Sequence, residues 1–186
     1  MNASFLKTPR EKFGRFFFNR DHGKVMRQRA VYNLETAKTI GLLYDATDEK
    51  EYHTICEFVK SLQNDNKTVK ALGYLNYNII PHYCIPKLSF DYFIMKDISL
   101  FYIPNNTFIE DFLKNDFDLL IDLTTKDFFP IQYIAGMSKA KFKVGRDGVS
   151  HSNYYDFMLN VNESISLNEY ISQICKYLTL LNKTNE

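Results

Sequence analysis

The chain predicts a single three-layer α/β domain, Rossmann-like with a mostly parallel sheet, over residues 36–186. A basic N-terminal arm precedes it over residues 1–35. Three observations lead there. Short apolar runs alternate with segments of helical periodicity along the chain, the pattern of successive βαβ units. The run from Phe117 to Leu123 is apolar except for Asp118 and Asp122, as expected of a strand buried on both faces of a parallel sheet. Leu167, Tyr170, Ile171, Ile174, Cys175, Leu178 and Leu181 form one apolar stripe, as in a helix laid on such a sheet. A length of 186 residues suits one domain with a full core.

The elements follow in order. Within the arm, Phe5, Phe13, Phe16, Phe17 and Phe18 are interleaved with cations, and Gly14 and Gly23 argue against one unbroken helix. Residues 38–45 read as the first strand. Asp48 and Glu51 then have the spacing of a capping box, and Tyr52, Ile55, Phe58, Val59 and Leu62 mark the inner face of a helix. Residues 68–75 form the second strand. An irregular segment runs to Pro86, a short strand over 88–93 follows, and 97–101 reads as a helical turn. Asn105 or Asn106 caps a helix with Phe108, Ile109, Phe112 and Leu113 inward. The central strand, 117–123, comes next. Thr125 or Asp127 caps a helix with Pro130 in its first turn, which Gly136 weakens. Residues 140–145 alternate like a strand with one solvent-facing edge. A polar loop over 146–155, a last strand over 156–161 and the helix capped by Ser166 complete the chain.

Composition narrows the class. The apolar share of 45% and charged share of 24% are those of an ordinary globular protein. Cys56, Cys84 and Cys175 are odd in number and far apart, which suits neither a disulfide framework nor a zinc site and points to a reducing cytoplasm. No apolar run is long enough to span a membrane, and cations interrupt the N-terminus where a signal peptide needs a continuous apolar segment. Charge is uneven. Residues 1–30 hold eight Lys or Arg against two acids, a surplus of six, and because the whole chain carries +1 the remainder carries −5.

That surplus makes Lys7, Arg10, Lys12, Arg15, Arg20, Lys24, Arg27 and Arg29 candidate RNA contacts, with phenylalanines able to stack on exposed bases. Two other readings compete for the same arm: a helix laid on the body with phenylalanines inward, and a basic segment for a membrane surface. A second candidate site is the carboxyl edge of the sheet. Asp45, Asp122, Thr124, Thr125 and Arg146 fall at strand ends there, the usual ligand position in an open α/β sheet. The competing reading has these acids and threonines cap helices or hold loop amides, with Arg146 paired to an acid. The turn after the first strand, Asp45-Ala46-Thr47-Asp48, has no glycine, which disfavours a dinucleotide or P-loop phosphate cradle. His22, His53, His82 and His151 show no metal-ligand spacing, and no nucleophile motif is present, so no cofactor, metal or catalytic set is expected.

Several strings resemble a small uncharacterised family of cytoplasmic proteins from Bacteroidetes: Ile40 to Thr47, Lys70 to Tyr74, Pro86-Lys87-Leu88-Ser89-Phe90-Asp91, Ile121-Asp122-Leu123 and Ser138 to Arg146. That resemblance implies no activity. Residues 117–146 also look like the N-terminal half of heptosyltransferase-like glycosyltransferases, in which a second domain holds most of the sugar nucleotide. The likeness implies the fold, without complete transferase chemistry, because the chain is too short for that second domain. The expectation is a non-enzymatic cytoplasmic adaptor whose arm binds RNA or the ribosome. The alternatives are a sugar or nucleotide site at the sheet edge, and a protein–protein docking module.

Overall fold

The computed structural model describes residues 9–85, 87–148, 151–162 and 164–181. A helix, α1 (Pro9–Asp21), is followed by β1 (Thr39–Asp45), α2 (Glu49–Asn64), β2 (Thr68–Leu75), β3 (Phe90–Ile94), α3 (Thr107–Leu113), β4 (Leu119–Asp122), α4 (Phe129–Met137), β5 (Phe142–Arg146), β6 (Phe157–Leu159) and α5 (Leu167–Leu180). The six strands make one parallel sheet in the order β3-β2-β1-β4-β5-β6. This is the doubly wound order, with its topological switch between β1 and β4. One apolar layer joins α2 and α5 to the sheet through Tyr52, Ile55, Val59, Tyr170 and Ile174. The other holds Ile109, Phe112, Ile131 and Ile134 of α3 and α4, with Phe18 of α1.

The register is locked at the amino edge of the sheet. Asp118 accepts from the amides of Lys38 and Thr39 at 3.0 and 3.1 Å and from Lys141 Nζ at 2.8 Å. One carboxylate thus ties the starts of β1, β4 and β5 together. Burial pushes the Asp118 carboxyl up, but Lys141 and the two amides outweigh it and hold it down at about 2.

Several local expectations give way to packing. β5 is not a solvent-edged strand. It lies between β4 and β6, so both of its edges are paired, and Lys143 is buried with its Nζ on the Gly136 carbonyl at 3.1 Å. Burial and the neighbouring Arg27 push the Lys143 ammonium down to about 7. The third strand begins at Phe90, because the bridge from Lys87 to Phe90 leaves Leu88 in solvent. The turn expected at 97–101 falls instead at Met95–Asp97, where Asp97 accepts from the Ile94 amide. α4 starts at Phe129 without a side-chain cap, since Asp127 turns to Arg146 instead.

Gly14 does not break α1, and α4 runs through Gly136 to Met137. Both glycines lie where the two helices approach the same aromatic cluster. A Cβ at Gly14 would stand 2.5 Å from the Phe101 carbonyl and 2.7 Å from the Phe129 ring, and one at Gly136 would overlap the ring of Phe18. The absent side chains let Phe18 sit against Phe129, Tyr133 and Tyr154. After α1 the chain is held by Arg27, whose guanidinium makes a two-pronged pair with Asp156 at 2.6 and 2.7 Å, both residues largely buried.

Candidate functional site

At the switch point, consecutive strands send their chains to opposite faces. β1 leads to α2 on one side and β4 leads to α4 on the other, which opens a crevice above their carboxyl ends. An open cleft of about 820 Å³ lies there. Asp45, Asp48, Glu51, Asp127, Lys126 and Arg10 contribute its charged groups, and Tyr74, Tyr77, Tyr102 and Phe128 its rings. Tyr74 and Phe128 stack with centroids 4.1 Å apart. Beside the cleft, Thr124, Thr125, Asp45 and Glu51 surround a small recess of about 30 Å³, room for one water.

The local sequence explains the shape of the β1–α2 turn. The Asp45 carboxylate accepts from the Thr47 amide at 2.9 Å, which curls the chain outward. Asp48 then caps α2, accepting from the amides of Lys50 and Glu51 at 2.9 and 3.0 Å. Glu51 does not return a bond to the Asp48 amide to complete the expected capping box, and lines the crevice instead. Burial raises the Glu51 carboxyl, the nearby Asp45 and Asp48 raise it further, and Lys126 partly opposes them. The helix N-terminus that would receive a phosphate in a dinucleotide-binding unit is thus already filled by a carboxylate.

The five edge residues separate into three groups. Asp45, Thr124 and Thr125 line the crevice or its recess. Asp122 lies beneath it, buried. One of its oxygens accepts from both the amide and the hydroxyl of Thr124, at 2.9 and 2.6 Å, and the other accepts from the Tyr155 hydroxyl. Its carbonyl accepts from Tyr170, and burial raises its carboxyl because only hydroxyls and an amide answer it. Arg146 stands behind the wall, donating to Asp127 at 2.8 Å. His151, within the polar loop, is buried. Its Nδ1 donates to the Arg146 carbonyl at 2.7 Å, so Nε2 is left to accept from Gln132 at 3.1 Å. This network braces the wall, and of its members Asp127 lines the cleft and Thr124 the recess beside it. The residues missed at first reading, Glu51, Lys126, Tyr74, Tyr77, Tyr102 and Phe128, come from five separate segments. Lys126 and Phe128 carry a positional signal, in the loop directly after the central strand.

The arm cations are distributed differently. Lys7 lies outside the described residues. Arg10 donates to the carbonyls of Leu100 and Ser99, both at 3.0 Å. Arg15 pairs with Glu11 and lies over the Phe129 ring. Arg20 and Lys24 share Asp21. Arg27 is taken by Asp156, with Arg29 at 3.9 Å from the same acid, and Lys12 is exposed. Among the described residues no group of three or more His, Cys, Asp or Glu is placed to hold a metal ion, and no helix is long and apolar enough to cross a membrane.

A search of curated proteins gives no match to the chain. Residues 10–181, which include both the switch-point crevice and the helix packed beside it, match the model of a family of unknown function, DUF6913, and the chain belongs to that family.

Proposed function

We propose that the protein is a binding domain for a small, unphosphorylated, hydroxyl- or amine-bearing molecule of about sugar size, held in the crevice between β1 and β4. The observation that carries this reading is the lining of the cleft, where Asp45, Asp48 and Glu51 face Tyr74, Tyr77, Tyr102 and Phe128. Carboxylates accept from hydroxyls and ammonium groups, and rings pack on sugar faces or attract cations. The same carboxylates repel phosphate, and Asp48 occupies the amides that would bind it. This favours a free sugar or amino sugar over the nucleotide half of the sheet-edge reading, and accords with an ancestry shared with one half of a glycosyltransferase. Asp45, Thr124 and Thr125 contact the ligand; Asp122 and Arg146 hold the walls.

A thermal-shift panel of neutral sugars, amino sugars, polyamines, phosphosugars and sugar nucleotides tests it. An amino sugar or neutral sugar is expected to raise Tm by about 5–10 °C, as ligand near a hundred times Kd does in a domain of this size, and Asp45→Asn to erase the rise. A shift produced by phosphosugars alone, or one unchanged in Asp45→Asn, overturns the reading. The adaptor reading, in which the arm contacts RNA or a ribonucleoprotein in the cytoplasm, has exposed Lys12, Lys24 and Arg29 in its favour. It comes second because Arg10, Arg15, Arg20 and Arg27 already have partners within the molecule.

A further inference from the structure

Tyr102 lines the crevice on a backbone that tyrosine disfavours. Its φ is 61°, in the left-handed region. Among the described residues the one other non-glycine there is Asn66, after α2, a residue type that tolerates the conformation. Tyr102 closes a tight turn. Its amide donates to the Ser99 carbonyl at 2.9 Å, the Ser99 amide donates to the Ile103 carbonyl at 2.9 Å, and Ile98 bridges Pro104. In a bulged hairpin of this kind that position normally belongs to glycine. Here it carries a ring, parallel to that of Phe129 at 6.4 Å and edge-on to Phe128 at 6.3 Å. What holds the turn is α1. Arg10 donates through Nε to the Leu100 carbonyl and through Nη2 to the same Ser99 carbonyl that accepts from Tyr102, both at 3.0 Å. One helical turn on, Gly14 brings α1 against the Phe101 carbonyl with no room for a side chain between them. Three consecutive carbonyls, Ser99 to Phe101, thus meet one helix.

We propose that α1 holds the crevice in its binding form, with Tyr102 a ligand-contact residue and Arg10 the positioning residue that keeps it in place. The inference rests on the crevice reading above and adds the element that controls that site. A bulky side chain in the left-handed region costs stability and persists only where its surroundings over-determine it, and such residues gather at ligand clamps. The grip of Arg10 on Ser99 and Leu100 supplies that constraint. Without it the turn relaxes toward negative φ and carries the Tyr102 ring off the wall. The ring also narrows the ligand class. A molecule that meets the carboxylates of Asp45 and Asp48 and packs on Tyr102 in the same cleft has a polar edge and an apolar face, as a pyranose has.

Calorimetric titration of the full chain with glucosamine and with glucose tests it, together with urea midpoints measured without sugar. Tyr102→Gly and Tyr102→Ala both remove the ring and differ only in backbone freedom. The glycine variant should have the higher midpoint, the reverse of the order at an ordinary position. Both should bind the sugar at least about tenfold more weakly than the parent, the scale of one lost ring contact. Arg10→Met should weaken binding at least about threefold in the parent and leave Tyr102→Gly unaffected, because Arg10 acts through the ring. An alanine midpoint equal to or above that of glycine overturns the proposal. So does unchanged binding in Tyr102→Gly, or an equal loss from Arg10→Met in both backgrounds. With the parent still binding, each of these outcomes leaves the crevice reading intact. If neither sugar binds the parent, the crevice reading fails and this proposal fails with it.

Discussion

The two edges of one sheet treat the same residue type in opposite ways. At the amino edge, Asp118 meets an ammonium and two amides and is held charged. At the carboxyl edge, Asp45, Asp48 and Glu51 gather around a crevice with Lys126 and Arg10 as the facing cations, and Arg10 is already bound to carbonyls. Asp122, at the far end of the strand that Asp118 precedes, is buried against hydroxyls and its carboxyl is raised. A matched charge serves the fold. Carboxylates crowded with each other store an unfavourable interaction that a ligand can relieve, which is why perturbed groups in clefts mark functional sites.

The comparison breaks most visibly if Asp118 is removed. Asp118→Ala leaves Lys141 and two strand amides without their acceptor, and is expected to cost about 3 kcal/mol, read as a shift in the urea midpoint. A loss below 1 kcal/mol would mean the amino edge is not held by this carboxylate. Acid sharpens the same point with a somewhat smaller effect. The folded carboxyl of Asp118 lies below its unfolded value, so its contribution is complete above the ordinary carboxylate range and disappears as pH falls through about 4 toward about 2. The loss is about 2 kcal/mol, and it should vanish from the pH profile of Asp118→Asn. The carboxyl edge should show the reverse sign at the smallest size. Because burial and the nearby Asp45 and Asp48 raise the Glu51 carboxyl, its charge opposes folding, and Glu51→Gln should raise stability slightly at neutral pH while weakening the ligand shift. A net loss of stability there would show that the helix N-terminus, and not the crevice, sets the balance at Glu51.

Much of this architecture was legible in the chain itself. The stripe of α5 and the near-continuous apolar run of β4 are local patterns, and each appears within a residue or two of its expected place. Ser166 forms its capping box with Glu169 because a cap needs only a spacing of three. Lys143 shows where such reading stops. Its alternation with apolar neighbours is a correct strand signal, but alternation says nothing about whether a sixth strand will cover the edge. Gly14 looks like a helix breaker and Gly136 like a weak point in isolation, and both become the contact that seats Phe18.

The candidate site divides along the same line. Asp45, Thr124 and Thr125 could be named because a strand end is visible in a sequence, and strand ends point to the carboxyl edge whatever the strand order. Glu51, Tyr74, Tyr77, Tyr102 and Phe128 join them only because β1 pairs with β2 on one side and β4 on the other. Periodicity, capping spacing and charge distribution are properties of neighbouring residues, and these the amino-acid order determined alone. Which carboxylate finds a cation and which faces another carboxylate depends on groups far apart in the chain, such as Asp118 and Lys141 or Arg27 and Asp156. Only the folded sheet brings them within Coulomb reach, and so only the tertiary structure decided where this protein is held together and where it is left open.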